Sequence, residues 1–563
     1  MAENKTNDIP KYKVIILGAG MAGLSAASHL MKNKHTDFLV LEARDRIGGR
    51  IAVYNSDDVK LEMGANWIHG VLGNPMYEVA MAHGLIDIVS VPKQHTVIAT
   101  TEDGHQVPHP ILQEIYEAYI CFLHRCEEYF LSQYLPPEDI HSVGEHINLE
   151  IELYLRNIVS PEERYLRHLI FQCLLKRETC ITGCNSMADI DLLELGSYTE
   201  LQGGNISLPT GYSSILEPIS RNIPHDKVLL NHRITSVRWK YKPCIPEENE
   251  EQQDSDDSDK TVIDVCDREP SEDSTDHIVI NTDDSDKTVI DVCDREPSED
   301  STDHIVIKCD NGSVFHARSV ICTLPLGVLQ AESHLFTPPL PRNKRDSLQR
   351  LLFGTVNKIF LVYQRPFLEP NLSEILLLWN DTVQEKSERQ TKDLADSWYK
   401  KIYSFAKVSD TLLLAWISGE EAEYMETLSD DVISDTCTII LRKFLNDPLI
   451  PKPKQCICSR WKKDEFTRGS YTAMAVGASQ LDIADLAQPI CIKTPKGHKP
   501  VIAFAGEHTH SNFYSTVHGA YLTGRTAAQL LVSHVFTEQT HNEVIVDCNE
   551  TDMSSWIQSM SLQ

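Results

Sequence analysis

An α/β fold built around a Rossmann-like domain is predicted by three observations. A short buried strand runs straight into a cluster of glycines, a second strand ends on an acid, and further apolar runs that read as core strands recur along the chain, such as Ile375–Trp379 and Leu412–Ile417.

The elements follow in order. Lys13–Leu17 (KVIIL) is the first strand, Gly18-Ala19-Gly20-Met21-Ala22-Gly23 the turn, and Leu24–Met31 the helix. Gly18, Gly20 and Gly23 divide three tasks: a tight turn, backbone access to a pyrophosphate, and close packing of helix on strand. The phosphates would sit at the helix N-terminus. A lone GxGxxG is a weak signal. Here a second strand, Phe38–Leu41, delivers Glu42 24 residues after Gly18, where a carboxylate accepts ribose hydroxyls. Arg44, Ile47, Gly48, Gly49 and Arg50 come next, and two adjacent glycines with an arginine suit a second approach to a pyrophosphate.

The chain of 563 residues allows roughly three to four folding units. With 41% hydrophobic and 24% charged residues it is an ordinary globular composition. The charge is not ordinary: 52 basic against 82 acidic residues leave −30. Nucleic acid is therefore not an expected partner, whereas cations are drawn in. No apolar run approaches the ~20 residues of a membrane helix, so no membrane partner is expected either. The polar N-terminus lacks a signal peptide and the C-terminus does not match Ser-Lys-Leu, so a cytoplasmic protein is expected, and these signals do not rule against the nucleus. The 15 cysteines include no Cys-x-x-Cys pair, and reduced thiols are expected.

Most of the excess charge has one address. Asp256–Ile280 and Asp283–Ile307 are the same 25 residues repeated at an offset of 27, and together with Pro246–Asp254 they carry −19 of the −30. Such a stretch is too polar to order itself. Its flanks, Arg233–Tyr241 and His304–Cys309, alternate like strands, so the insertion is expected to lengthen a surface hairpin loop, with the second His-Ile-Val-Ile as the strand. A docking segment for a protein partner is the other reading of the insertion. The tail beyond Thr537 is acidic and is also expected to be disordered.

Several segments together resemble the amine oxidase superfamily, and within it the animal-type polyamine oxidases. Arg44–Arg50 resembles its flavin-binding run. Gly64–Gly70 (GANWIHG) resembles the loop that crosses the flavin face. Gly354–Phe360 (GTVNKIF) resembles the strand carrying an active-site lysine. Arg460-Trp461 and Arg468–Tyr471 resemble the stretch that walls the substrate cavity. Phe504–Thr509 (FAGEHT) and Tyr514–Ala520 (YSTVHGA) resemble the C-terminal flavin signature. The resemblance runs from about Lys13 to Leu531, apart from the insertion.

It implies non-covalent FAD, because the tethering Cys of monoamine oxidases is replaced in Arg468-Gly469-Ser470-Tyr471. It also implies a layout. Segments 11–91, 199–243, 308–329 and 461–534 would form the FAD-binding domain, and 92–198 with 330–460 a discontinuous α+β substrate domain. The insertion would cover 244–307 and the acidic tail 535–563. Catalytic roles fall on Lys358, holding a water, and on His69, steering the amine. Trp67, Tyr471 and Thr516 would meet the substrate, and Gly18, Gly20, Gly23, Glu42, Arg50, Trp461, Glu507 and Val517 the cofactor. From the residues alone, Lys358 reads equally as a lysine reaching water from an edge strand, and His69 as an ordinary loop histidine. His508, His510 and His518 lack ligand spacing, so no metal is expected.

The implied activity is oxidation of polyamines, free or N1-acetylated, by O2 to an aminoaldehyde, a shorter amine and hydrogen peroxide. The motifs set no oligomeric state. The rival readings are an amine oxidase for a protein lysine or a monoamine, and a flavin-binding interaction protein that recruits partners through its acidic insertion.

Overall fold

Two large sheets carry most of the described strands, and three two-stranded ribbons hold the rest. The computed structural model describes residues 9–56, 59–86, 96–239, 305–380, 394–494 and 497–536. The body of the acidic insertion and the tail from 537 lie outside these residues.

The first sheet has nine strands. Lys11–Leu17 lies at its centre, parallel to Phe38–Leu41 on one side and to Val314–Cys322 on the other. Val14, Ile15, Ile16 and Leu17 are all fully buried, as expected for a central parallel strand covered on both faces. Val314–Cys322 is long enough to serve two neighbours. Its first half pairs antiparallel with Ile305–Cys309, and its last residues pair parallel with Gly497–Phe504. The helix Met21–Lys32 covers the sheet and packs against the late helix Val517–Leu531, so the first and last parts of the described chain share one core.

The flanks of the insertion behave as the sequence predicts. Ile234–Arg238 and Ile305–Cys309 pair antiparallel, with Val237 opposite Ile307, so the second copy of His-Ile-Val-Ile supplies the strand.

The second sheet has six strands, in the order Gln455–Cys458, Val356–Val362, Leu412–Ser418, Ser404–Ser409, Leu372–Leu378 and Thr96–Thr101. Alternation along Leu372–Leu378 shows how it is covered. Leu376 and Leu378 enter a core with the helices His109–Leu131, Val143–Leu155 and Pro161–Thr182. Ile375 and Leu377 enter the opposite core with Asp430–Phe444. The helix starts are encoded locally: Ser142 and Glu145 form a capping box, and Ser160 caps a helix with Pro161 in its first turn. Two short strands cross the expected segmentation. Leu352–Gly354 pairs with Tyr471–Ala473 of 461–534. Phe336–Thr337 falls within 330–460 yet pairs with Ile234–Arg238 of the first sheet.

Candidate active site

A cleft of ≈ 1230 Å³ runs from the glycine turn of the first sheet to the inner strands of the second. All thirteen expected site residues except Gly23 line it. Gly23 lies behind the turn, where a Cβ would come within 1.9 Å of the Gly18 carbonyl oxygen, so its task is close packing.

One end of the cleft is built from main chain. Gly18 has φ +105°, and its N–H donates to Leu41 O at 2.7 Å, which closes the turn against the second strand. No side chain caps the helix that Gly20 precedes. A Cβ on Gly20 would meet nothing nearer than Gly49 Cα at 4.0 Å, so the free N–H groups of the first turn face the cleft. The buried Glu42 carboxylate accepts from the N–H groups of Ala19 (2.7 Å) and Arg44 (3.0 Å), which fixes it at the end of its strand. An open helix N-terminus beside a fixed acid fits the diphosphate and ribose of FAD.

Arg50 and Glu507 form the next tier. Arg50 Nη1 donates to Ser470 O at 2.8 Å and to Glu507 Oε1 at 2.9 Å. Glu507 also accepts from Thr472 Oγ1 (3.1 Å) and from the N–H groups of Thr472 (3.4 Å) and Ser515 (2.8 Å). Burial alone would raise its pKa, but Arg50, His508 and these hydrogen bonds outweigh burial and hold it below the usual carboxylate range. Glu507 is thus occupied by the protein. These contacts fix Arg50 at the wall of the cleft.

Lys358 sits on Val356–Val362 and is only 3% exposed. Its Nζ donates to Glu62 O and Gly64 O, each at 2.7 Å, and lies 4.8 Å from the centre of the Trp416 ring. Burial lowers its pKa to about 7, against a smaller opposing pull from Glu62. A neutral amine has two N–H groups, and both carbonyls take one. Its lone pair is then free to accept a proton from a water or an amine in the cleft. The lysine is therefore neither at an edge nor reaching for bulk water, since its strand pairs on both sides.

The remaining expected residues divide. Trp67 stacks on Trp416 with ring centres 5.6 Å apart. Trp461 Nε1 donates to Met63 O at 3.3 Å, behind the loop that receives Lys358. Tyr471 donates its hydroxyl to Cys180 O and presents its ring to the cleft. His69 faces the cleft with Nδ1 3.1 Å from Asn205 Oδ1. Enclosure by the surrounding protein lowers its pKa, against the raising effect of Asn205 and Glu200. Thr516 lines the cleft, but its hydroxyl is committed to Phe513 O and to the Gly519 N–H, capping the helix that begins at Val517. Its contact with a substrate is therefore not through a free hydroxyl.

Sequence reasoning missed Trp416 and a set of carboxylates. Trp416 is directly opposite Lys358 across two antiparallel strands, a register no motif specifies. Glu127 and Glu178, on helices that cover the second sheet, and Glu374, on that sheet itself, line the cleft, as do Glu194 and Glu200. Burial raises the Glu178 pKa to about 7, with Glu127 adding and Arg177 opposing. Burial likewise raises Glu127, and Glu200 adds to the effect. The helix His109–Leu131 is two-faced. Tyr119 and Phe122 are buried, while Tyr116, Ile120, Leu123 and Glu127 line the cleft.

Comparison with known proteins agrees with this geometry. The pattern of the flavin containing amine oxidoreductases matches residues 21–283 and 293–532. A Homo sapiens protein named peroxisomal N(1)-acetyl-spermine/spermidine oxidase is 31% identical over 545 residues, spanning 92% of this chain and 95% of that one. Its Bos taurus counterpart is 30% identical, spanning 92% and 94%. A probable polyamine oxidase of Arabidopsis thaliana is 26% identical, spanning 93% and 98%. A solved structure of a putrescine oxidase variant shares the fold, with TM-score 0.59 at 18% identity over 93% of this chain and 100% of that one.

Proposed function

Because this chain belongs to the flavin containing amine oxidoreductase family and is an FAD-dependent amine oxidase, we propose that its substrates are polyamines. They are spermine, spermidine or their N1-acetyl forms, oxidised by O2 to an aminoaldehyde, a shorter amine and hydrogen peroxide. The observation that carries this reading is the acid lining of the cleft. Glu127, Glu178 and Glu200 all line it, and Glu127 is near enough to feel Glu200 and to act on Glu178. A monoamine has no second positive charge to place there. A polyamine has one or more, separated from the reacting nitrogen by a flexible apolar spacer that aromatic walls accommodate. The names of the two mammalian relatives support the same substrate class.

FAD, when bound, supplies the two-electron acceptor for oxidation of the carbon beside nitrogen. This chain's residues do the rest. Gly18–Gly20, Glu42 and Arg50 hold the diphosphate and ribose end. Trp67, Trp416 and Tyr471 exclude water around the spacer. The carboxylates draw the distal ammonium inward and thereby set how far the chain enters. Lys358 Nζ, near neutrality, exchanges a proton with a water or amine beside it, and His69 presents a second polar atom to the reacting nitrogen. The reacting amine must be neutral to give up its electrons, so a site acidic at one end and equipped with neutral bases at the other keeps the two ends of one molecule in different protonation states.

The flavin is held without a covalent bond. Ser470 stands where a tether would be, and its hydroxyl is committed to the backbone of Val356. Acid precipitation should leave a yellow supernatant over a colourless pellet. Peroxide release with spermine, spermidine, their N1-acetyl forms, putrescine and benzylamine tests the substrate class. Faster turnover of benzylamine than of every polyamine would overturn it.

A further inference from the structure

The strand beside the lysine strand carries two thiols on one face. Cys456 and Cys458 lie on Gln455–Cys458 with their Sγ atoms 3.8 Å apart, both half-buried. They line a second hollow of ≈ 600 Å³ with Arg46, Asp430, Asp431 and Lys454. Met63, in the 62–64 segment that receives Lys358, lines both this hollow and the active-site cleft. The register is direct. Cys458 is opposite Ile359 and Cys456 opposite Leu361. The next residue, Ser459, is bound twice to the lysine: its Oγ accepts from the Lys358 N–H at 2.8 Å, and its own N–H donates to Lys358 O at 3.0 Å.

From this juxtaposition we propose that Cys456 and Cys458 are a peroxide-oxidised dithiol whose disulfide slows the enzyme by shifting Ser459 and, with it, Lys358. Residues two apart in an extended strand have Cα atoms about 6.4–6.8 Å apart. That is the upper limit of the disulfide range, so closure must shorten the strand locally and the bond is easily reduced. The sulfurs are not equivalent. The hydrogen bond to Cys456, then burial, raises the Cys458 pKa, and the step is balanced with Cys456 as the attacking sulfur.

The chemistry balances. Cys456 sulfur attacks one oxygen of hydrogen peroxide, the O–O bond breaks, and the departing hydroxide takes the Cys456 proton as water. Cys458 sulfur then attacks Cys456 sulfur, the S–O bond breaks, and the second hydroxyl leaves with the Cys458 proton as water. Two thiols lose two electrons, and one peroxide becomes two waters. In the cell this rests on peroxide being the product of the proposed reaction, but the test supplies peroxide itself.

Resting holoenzyme is treated with hydrogen peroxide without amine, the excess is removed with catalase, and non-reduced peptides are mapped. The peptide holding both cysteines should lose two hydrogens, and the absorbance of bound flavin should change as the lysine moves. Anaerobic flavin reduction by amine should slow roughly two- to tenfold, the scale of one displaced hydrogen bond. Dithiothreitol should restore all three. Cys456→Ser and Cys458→Ser should each keep their untreated rate after peroxide, and the mapping on unmutated enzyme stands even if a variant fails to fold. Sulfinic acid without a bridge, a bridge to the buried Cys437, or a mapped Cys456–Cys458 bond with unchanged flavin spectrum and rate would each overturn the proposal. Mapping and spectrum need no substrate, so they separate this result from failure of the polyamine reading.

Discussion

The two ends of the cleft treat charge in opposite ways. At the glycine end every strong charge is already matched: Arg50 is held by Glu507, Glu42 accepts two backbone N–H groups, and Arg44 meets Asp464 at 2.6 Å. At the far end the carboxylates crowd one another, and burial raises Glu178 to about 7. The first end is finished before its ligand arrives and offers dipoles of fixed direction. The second is matched only in part, by Arg177, and a substrate cation adds to that balance. A permanent cofactor rewards preorganisation, whereas a transient substrate is held best where its absence is costly.

The contrast can be broken most severely at the finished end. Arg50→Met leaves Glu507 buried without its cation, a loss on the scale of about 3–5 kcal/mol. The variant should purify without flavin and melt earlier in calorimetry. Retention of full flavin would show that the pair is not needed for the cofactor. Next comes Lys358→Met, which keeps the strand but removes the amine. Flavin should stay bound while stopped-flow reduction or reoxidation slows by roughly 10- to 1000-fold. The parent enzyme should show an acid limb near pH 7, and in the variant that limb should vanish. Wild-type rates in both half-reactions would reduce Lys358 to a structural residue.

Glu178→Gln tests that partial match. KM for a polyamine should rise roughly tenfold above pH 7 with kcat little changed, since the contact concerns holding rather than chemistry. The sign for stability is the reverse. Glu178 titrates at about 7 when folded against 4.5 for the free group, so the folded state binds the extra proton between those values. Stability contributed by this group therefore falls as pH rises from 4.5 to 7. The Gln variant should melt about 1–3 °C higher at pH 8 and gain nothing at pH 4. An unchanged KM with a raised melting point would mean the cation binds elsewhere. The smallest effect is expected at the hairpin. Removing one 27-residue period should leave flavin content and rate unchanged and move stability by no more than about 0.6 kcal/mol. Loss of flavin on that deletion would show that the segment packs.

The same contrast explains what the sequence disclosed. The glycine end is local: strand, turn, helix and acid lie within Lys11–Glu42, and each step depends on the backbone needs of its own residues. Lys358, Trp461, Tyr471 and Glu507 were legible only as parts of motifs that resemble a family. The acid-lined end was not legible, because Glu127, Glu178 and Glu200 come from separate segments and none is unusual where it stands. Trp416 needed the strand register. Thr516 shows the opposite limit: the motif marks the residue, but the structure shows its hydroxyl capping a helix.

The bond between Arg50 and Glu507 spans 457 residues of chain. At about 5–20 residues per second, a ribosome that has just made Arg50 needs roughly 20–90 s more to deliver Glu507. Throughout that interval the glycine turn can be complete while its arginine lacks the Glu507 carboxylate. Nascent chains should therefore acquire flavin only near the end of translation, and ribosome-stalled chains that stop short of Val517–Leu531 should hold none, however well their first strands have formed.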